Sequence, residues 1–396
     1  MIPYQHQIDL AAEALPILKQ YGIVYLAAEE RTGKTLASIL LAESVPGSSV
    51  LVITKKAALP GWHDTLKAYK GYKKEYFVTN YHQAVKVTKS YDLIIIDEAH
   101  NYLSTYPKHG KLWKEVKPLC KGKPIIFMSA TPNAQGLQQR YGQLSISSFS
   151  PWKNHKNFYE WFRLYGKVYE IKINGVPIRQ YDRCDEELIR GTSDHLYVTK
   201  TRQELGFDYE PEDKIHWIQL NENTKEVYNV LLEHNIVELS VGMLVCDTKS
   251  KLRFSLHQLE GGTIKIDETR FILANEEKVE YIKQHWGDSE DLVIMYNYIA
   301  EKDKLERHFK KACILQATSY AEGVDLHKYA HLVIYSQDFS TARHSQRRAR
   351  QANKKRDTPI TIHHLLVKKA MSHQVYKTVS VNKKNFVDSV FEKVAL

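Results

Sequence analysis

The sequence predicts an α/β protein built from two parallel-sheet domains. Apolar runs bounded by polar residues, such as Leu93-Ile94-Ile95-Ile96 and Ile125-Ile126-Phe127-Met128, are the first sign. Helical stretches lie between such runs, and the same alternation returns in the last third of the chain. Strands apolar on both faces that alternate with helices mark a sheet covered on each side. A length of 396 residues agrees with two domains, each able to bury its own core.

In chain order, residues 6–21 predict a helix with Pro16 a local irregularity, and Ile23-Val24-Tyr25-Leu26 a short buried strand. A helix over Lys34–Glu43, a strand over 50–53 and a helix around Leu59–Tyr69 follow, then strands over 92–96 and 124–128. Late in the chain the pattern gives strands over 291–296, 313–317, 331–335 and 359–366, with helices over 300–311, 341–351 and 370–380. The expected organisation is therefore 1–145 as the first lobe, 146–275 as an insertion and linker, and 276–396 as a minimal second lobe. The middle segment is irregular and aromatic-rich; Trp152, Phe158, Trp161 and Phe162 recur near helical spacing, which reads as core. Asn174-Gly175 between alternating runs predicts a hairpin.

Composition excludes several classes. Apolar residues make up 43% and charged residues 26%, as in a globular chain. No apolar run approaches the roughly 20 residues of a membrane span, and the N-terminus shows no basic and apolar leader. The four cysteines are scattered without CxxC pairing, so neither a disulfide framework nor a metal site is expected. The chain reads as cytoplasmic. Its net charge of +10 points to a polyanion. Residues 340–396 hold 13 Lys/Arg against three acids, while 1–339 holds 43 of each, so the whole excess is C-terminal.

Four constellations carry chemistry. Ala28-Glu29-Glu30-Arg31-Thr32-Gly33-Lys34-Thr35 follows a strand and opens a helix, with alanine where a phosphate loop usually has its first glycine. Backbone N–H groups and a helix N-terminus suit a phosphate chain, which Arg31, Thr32 and Gly33 would cradle. Lys34 would reach the β/γ-phosphates and Thr35 would ligate Mg²⁺. Asp97-Glu98 sits at the end of an apolar strand, where ligands of an open parallel sheet bind. Asp97 would hold Mg²⁺ through water, and Glu98 would deprotonate the attacking water. Ser129-Ala130-Thr131 ends another buried strand and is weak alone. Gln346-Arg347-Arg348-Ala349-Arg350 lies on a late helix; it is either a solvated basic face or a source of arginines for a γ-phosphate.

Together these residues resemble the superfamily 2 helicases and, within them, the compact bacteriophage-type Swi/Snf-like DNA translocases. The resemblance covers nearly the whole chain. Asp97-Glu98-Ala99-His100 matches the DEAH motif, Val52-Ile53-Thr54-Lys55 through Trp62 is similar to motif Ia, and Thr79-Asn80-Tyr81 to the next DNA-contacting segment. Ser129-Ala130-Thr131-Pro132 resembles motif III, and 318–326 is similar to motif V. The resemblance implies two RecA-like lobes with a cleft between them, ATP and Mg²⁺ as cofactors, and ATP hydrolysis coupled to movement along DNA. It also implies Gln5 on the adenine, Gly323 and Asp325 on the nucleotide, and Thr54, Lys55, Tyr81, Thr318 and Ser319 on DNA. Motif VI has two registers, one with Arg347 and Arg350 and one with Arg350 and Asn353; Arg350 serves in both. Lys354, Lys355 and Arg356, with Lys368 and Lys369, remain as the basic cluster facing DNA. The expected partner is duplex or branched DNA rather than RNA, with a monomeric protein and no membrane. A duplex-tracking remodeller that displaces bound proteins, an RNA helicase and a DNA-binding scaffold without catalysis are the alternatives.

Overall fold

The structure is a computed structural model that describes residues 1–133, 136–173, 176–206, 211–317, 326, 329–349, 361–382, 386–387 and 390–396. The chain forms two compact units, Met1–Phe207 and Asp208–Leu396.

The first unit opens with α1 (Gln5–Tyr21), which runs through Pro16 and stops at Gly22, whose φ of 70° is left-handed. Then come β1 (Ile23–Leu26), α2 (Lys34–Glu43), β2 (Ser49–Thr54), α3 (Leu59–Ala68), β3 (Glu75–Asn80), α4 (Tyr81–Ala84) and β4 (Leu93–Asp97). The unit continues with α5 (Ala99–Tyr102), α6 (Lys111–Val116), β5 (Ile125–Met128), α7 (Gln139–Leu144) and α8 (Phe158–Tyr165). It closes with β6 (Tyr169–Ile173), β7 (Val176–Gln180), α9 (Glu186–Ser193) and β8 (Tyr197–Val198). β6 and β7 pair antiparallel with Ile173 opposite Val176, around the expected Asn174-Gly175 tip, which lies outside the described residues.

The first sheet has the order β3-β2-β4-β5-β1-β8 and every described pairing is parallel. Its side chains sort by the pleat. Val24, Leu26, Val50, Val52, Ile95 and Ile126 face the core under α1, α2 and α3. Tyr25, Leu51, Ile53, Ile94, Ile96 and Phe127 face the opposite core, where Trp152, Phe158, Trp161 and Phe162 are buried as expected from their spacing. Each such aliphatic side chain contributes about 1.5–3 kcal/mol of burial.

The second unit contains β9 (Glu212–Trp217), α10 (Glu222–His234), the hairpin β10 (Ile236–Leu239) and β11 (Gly242–Val245), and α11 (Lys249–Glu260). The hairpin β12 (Thr263–Ile266) and β13 (Thr269–Ile272), α12 (Glu277–Trp286), β14 (Leu292–Tyr296), α13 (Ile299–His308) and β15 (Cys313–Gln316) follow. Last come β16 (His331–Ile334), α14 (Thr341–Ala349), β17 (Thr361–Leu366) and α15 (Met371–Tyr376). The order β15-β14-β16-β17-β9 gives a second parallel sheet. The α/β class with two parallel sheets is therefore observed.

Segment 146–275 divides between the units. β8 extends the first sheet beside β1, and β9 edges the second beside β17. β9 escapes a periodicity argument because its residues Glu212-Asp213-Lys214 are charged and largely exposed, as suits an edge strand. The helix expected over 300–311 ends at His308. There the Asp288 carboxylate accepts the backbone N–H groups of Lys310, Lys311 and Ala312 at 2.8, 2.8 and 2.9 Å and turns the chain into β15.

Candidate active site

The carboxyl ends of β1, β2, β4 and β5 bring the sequence-predicted residues of the first unit together. After β1 the chain bends through two left-handed residues, Arg31 at φ 62° and Gly33 at φ 79°. A side chain at Gly33 is excluded, since a Cβ would stand 1.9 Å from Gln7 Nε2. α2 then starts at Lys34, so its first N–H groups open onto the loop. The loop is braced from inside: Thr32 Oγ1 donates to the Glu29 carbonyl at 2.8 Å, and a ring nitrogen of His6 lies 3.0 Å from the Thr32 carbonyl. The Lys34 ammonium donates to the carbonyls of Ala28 and Glu29 at 2.7 and 2.8 Å. Burial lowers its pKa, while Glu30, Glu98 and Asp97 oppose that shift. Thr35 is half-buried one residue into the helix.

Asp97 closes β4, and its carboxylate and its backbone carbonyl each accept hydrogen bonds. Its Oδ2 accepts the Thr54 hydroxyl at 2.7 Å and the Trp62 indole N–H at 3.1 Å, and its carbonyl accepts the Tyr81 hydroxyl at 2.8 Å. Burial and the neighbouring Glu98 push its carboxyl up to about 6, against those hydrogen bonds and Lys34. Glu98 follows with φ 54° and ψ 41°, a left-handed conformation that strains a non-glycine residue. Its N–H is held by the Met128 carbonyl at 2.8 Å. Its Oε2 accepts Ser129 Oγ at 3.2 Å and stands 3.2 Å from His100 Nδ1, which is itself 2.8 Å from Ser129 Oγ. Burial lowers the His100 pKa although Glu98 opposes the shift, so the ring is neutral near pH 7 and orients Glu98 without neutralising it.

Three expectations change. Thr54 and Tyr81, expected on DNA, are 0% and 1% exposed, and their hydroxyls are spent on Asp97, so neither can reach a nucleic-acid phosphate. Gln5, expected on adenine, is exposed and donates to Asp9 at 2.8 Å; the buried glutamine against the loop between β1 and α2 is Gln7, whose Oε1 also accepts the Tyr4 N–H at 3.0 Å. Arg202 enters unannounced by any motif: its backbone N–H donates to Glu29 Oε2 at 2.9 Å where the chain beyond β8 runs beside the loop.

Lys55 is half-buried beyond the end of β2. In the second unit Arg347 lies on α14, with its side chain outside the described residues. Thr318, Ser319, Gly323, Asp325, Arg350, Lys354, Lys355 and Arg356 also lie outside the described residues. Arg348 is an anchor instead: its Nε donates to Asp213 Oδ2 and another nitrogen to the Pro211 carbonyl, both at 2.8 Å, tying α14 to the edge strand β9.

The chemistry of the donor set fits a nucleoside triphosphate with a divalent cation. An ammonium and open helix N–H groups lie near two adjacent carboxylates, one of them held up at about 6 by burial and by its neighbour Glu98.

No protein-family model matches the chain, and no curated protein matches it. Among solved structures, it is similar to the SWI2/SNF2 ATPase core of Sulfolobus solfataricus in complex with dsDNA, at 14% identity and a TM-score of 0.43, over 98% of this chain and 93% of that one. It is similar also to the SWI2/SNF2 ATPase core domain of the same organism, at 14% identity and a TM-score of 0.40, over 97% and 90% of the two chains. Among the described residues no helix is long and apolar enough to cross a membrane.

Proposed function

We propose that the protein is a DNA-stimulated ATPase that couples hydrolysis to movement along DNA. One observation carries the ATPase reading: Lys34 at the start of α2 stands in the electrostatic reach of Asp97, which ends β4, and of Glu98 beside it, groups 63 and 64 residues away in sequence that the fold brings together across β5. Lys34 and the N–H groups of α2 bind the phosphates. Thr35 and Asp97 are the residues that would hold Mg²⁺, whose charge would offset that of the phosphates. Glu98, oriented by Ser129 and the neutral His100, takes the proton of the attacking water. Arg347 and Arg350 are the candidates for transition-state charge stabilisation, and Gly323 and Asp325 for further nucleotide contact.

The DNA reading is supported by the C-terminal concentration of the positive charge, with Thr318, Ser319, Lys354, Lys355 and Arg356 as its candidate contacts. An ATPase panel tests both parts: no nucleic acid, single-stranded, duplex and branched DNA, and RNA. Stimulation by duplex without unwinding of a fork fits duplex tracking, and unwinding fits strand separation. Stimulation by RNA alone would overturn the DNA assignment.

A further inference from the structure

Away from the Asp97-Glu98 pair, the first unit carries a cavity whose chemistry the ATPase reading leaves unused. It encloses about 630 Å³ among α6, α7, α8 and the segments that precede α6 and α8. Its lining contains Lys108, Lys114, Lys117, Lys153 and Lys156, and no aspartate or glutamate. Residues 1–339 hold equal numbers of acids and bases, 43 each, so composition alone does not account for this segregation. Five ammonium groups around one opening repel each other and are stabilised by an anion placed among them.

The walls are aromatic. His109 stacks on Trp113 with centroids 3.6 Å apart and planes within 5°, and Lys117 Nζ lies 4.5 Å from the Trp113 ring centroid. Tyr159 stands at the rim with 44% of its surface exposed. Two buried polar atoms of the lining, Trp152 Nε1 and His109 Nδ1, have no hydrogen-bond partner among the described residues. Burial, with Lys117 and Lys114 adding to it, holds the His109 ring at about 4. At neutral pH it is an uncharged ring, stacked on Trp113 and on Tyr141, whose Nδ1 is left to hydrogen-bond.

We propose that this cavity binds a nucleotide unit, with its base against the exposed Tyr159 ring and its phosphate among the lysines. Base stacking on such a ring tolerates any sequence, while the lysines supply a salt-dependent share. None of these residues belongs to the phosphate loop or to the Asp97-Glu98 pair, so binding here is separable from hydrolysis. The unit is either a free mononucleotide or part of a strand.

The test uses the full chain without ATP. A labelled oligothymidylate carrying a photoreactive thiobase is bound, and its crosslinks are mapped by mass spectrometry. Wild type is compared with a Lys114→Glu/Lys153→Glu/Lys156→Glu variant and with Tyr159→Ala. Expected are crosslinks within 107–117 and 152–159, loss of those crosslinks in Tyr159→Ala, and at least about tenfold weaker binding in the triple variant, with ATPase activity in the absence of DNA unchanged in both. Competition by thymidine monophosphate identifies a free-nucleotide pocket, and its failure to compete identifies a strand site. Crosslinks confined to other peptides would overturn the proposal, as would loss of the crosslinks with inorganic phosphate at a concentration no higher than the thymidine monophosphate that abolishes them. Tyr159 is exposed, so its variant decides the matter even if the charge reversals disturb folding.

Discussion

The Thr54 hydroxyl, at the carboxyl end of β2, donates to Oδ2 of Asp97 at 2.7 Å, with both side chains buried. The indole of Trp62 shares the same oxygen. A segment read from sequence as a DNA contact thus holds in place the carboxylate proposed to hold Mg²⁺. Thr54→Val keeps the volume and removes the donor, at a cost of about 1–2 kcal/mol for the charged acceptor left behind. About a tenfold loss in ATPase kcat/KM is expected, with DNA affinity unchanged. Reduced DNA affinity with normal hydrolysis would restore Thr54 to the DNA interface.

The pH dependence follows from the Asp97 carboxyl, held at about 6 by burial and Glu98. Because this pKa is raised on folding, the protonated carboxyl contributes stability below its ordinary value of 3.8, and that contribution is lost as pH rises through about 6. Mg²⁺ needs the ionised form. The Mg²⁺ concentration for half-maximal ATPase should therefore be flat above about pH 6 and rise steeply below it. Trp62→Phe removes a hydrogen bond that lowers this pKa, so the break should move to higher pH. An unmoved break would mean that another group titrates.

Gln7 and Gln5 give a paired comparison. Gln7 packs on Gly33 beneath the loop between β1 and α2, whereas Gln5 is exposed on α1. Gln7→Ala should raise the KM for ATP several-fold and Gln5→Ala should leave it unchanged, as measured by steady-state kinetics. The reverse result would return the adenine contact to Gln5.

Arg348 and Asp213 are expected to act on stability. Burial alone would raise the Asp213 pKa, but His364 and Arg348 bring it down to about 2. Its contribution is present above the ordinary 3.8 and lost as pH falls through about 2. Asp213→Asn should destabilise the second unit by about 1–3 kcal/mol near pH 7. Thermal unfolding should show a lower transition for that unit, with the first unit's transition unmoved.

The apolar strands were legible because burial on both faces leaves a continuous signature, as in β4 and β5. So was the turn from β1 into α2 through Gly33, since a glycine before an apolar periodic run marks a helix start after a strand. β8 and β9 were not legible: one is two residues long and the other is a charged edge, so neither has a period to detect. The partners of Asp97 were hidden because hydrogen bonds across a sheet join residues 35 and 43 positions apart. Thr54 and Tyr81 were misread for the same reason, as a hydroxyl at a strand end looks alike whether it faces solvent or a neighbouring carboxylate. Among the late motifs, Arg348 was grouped with its neighbours on α14 until Asp213 showed it to be an anchor.

The central claim is tested most directly by the ATP turnover of purified Glu98→Gln beside wild type, each with duplex DNA. Wild type should turn over faster with the duplex than without it, and Glu98→Gln should bind ATP yet hydrolyse essentially none. Equal turnover by the two proteins would contradict the assignment of Glu98 and of this site as the seat of hydrolysis.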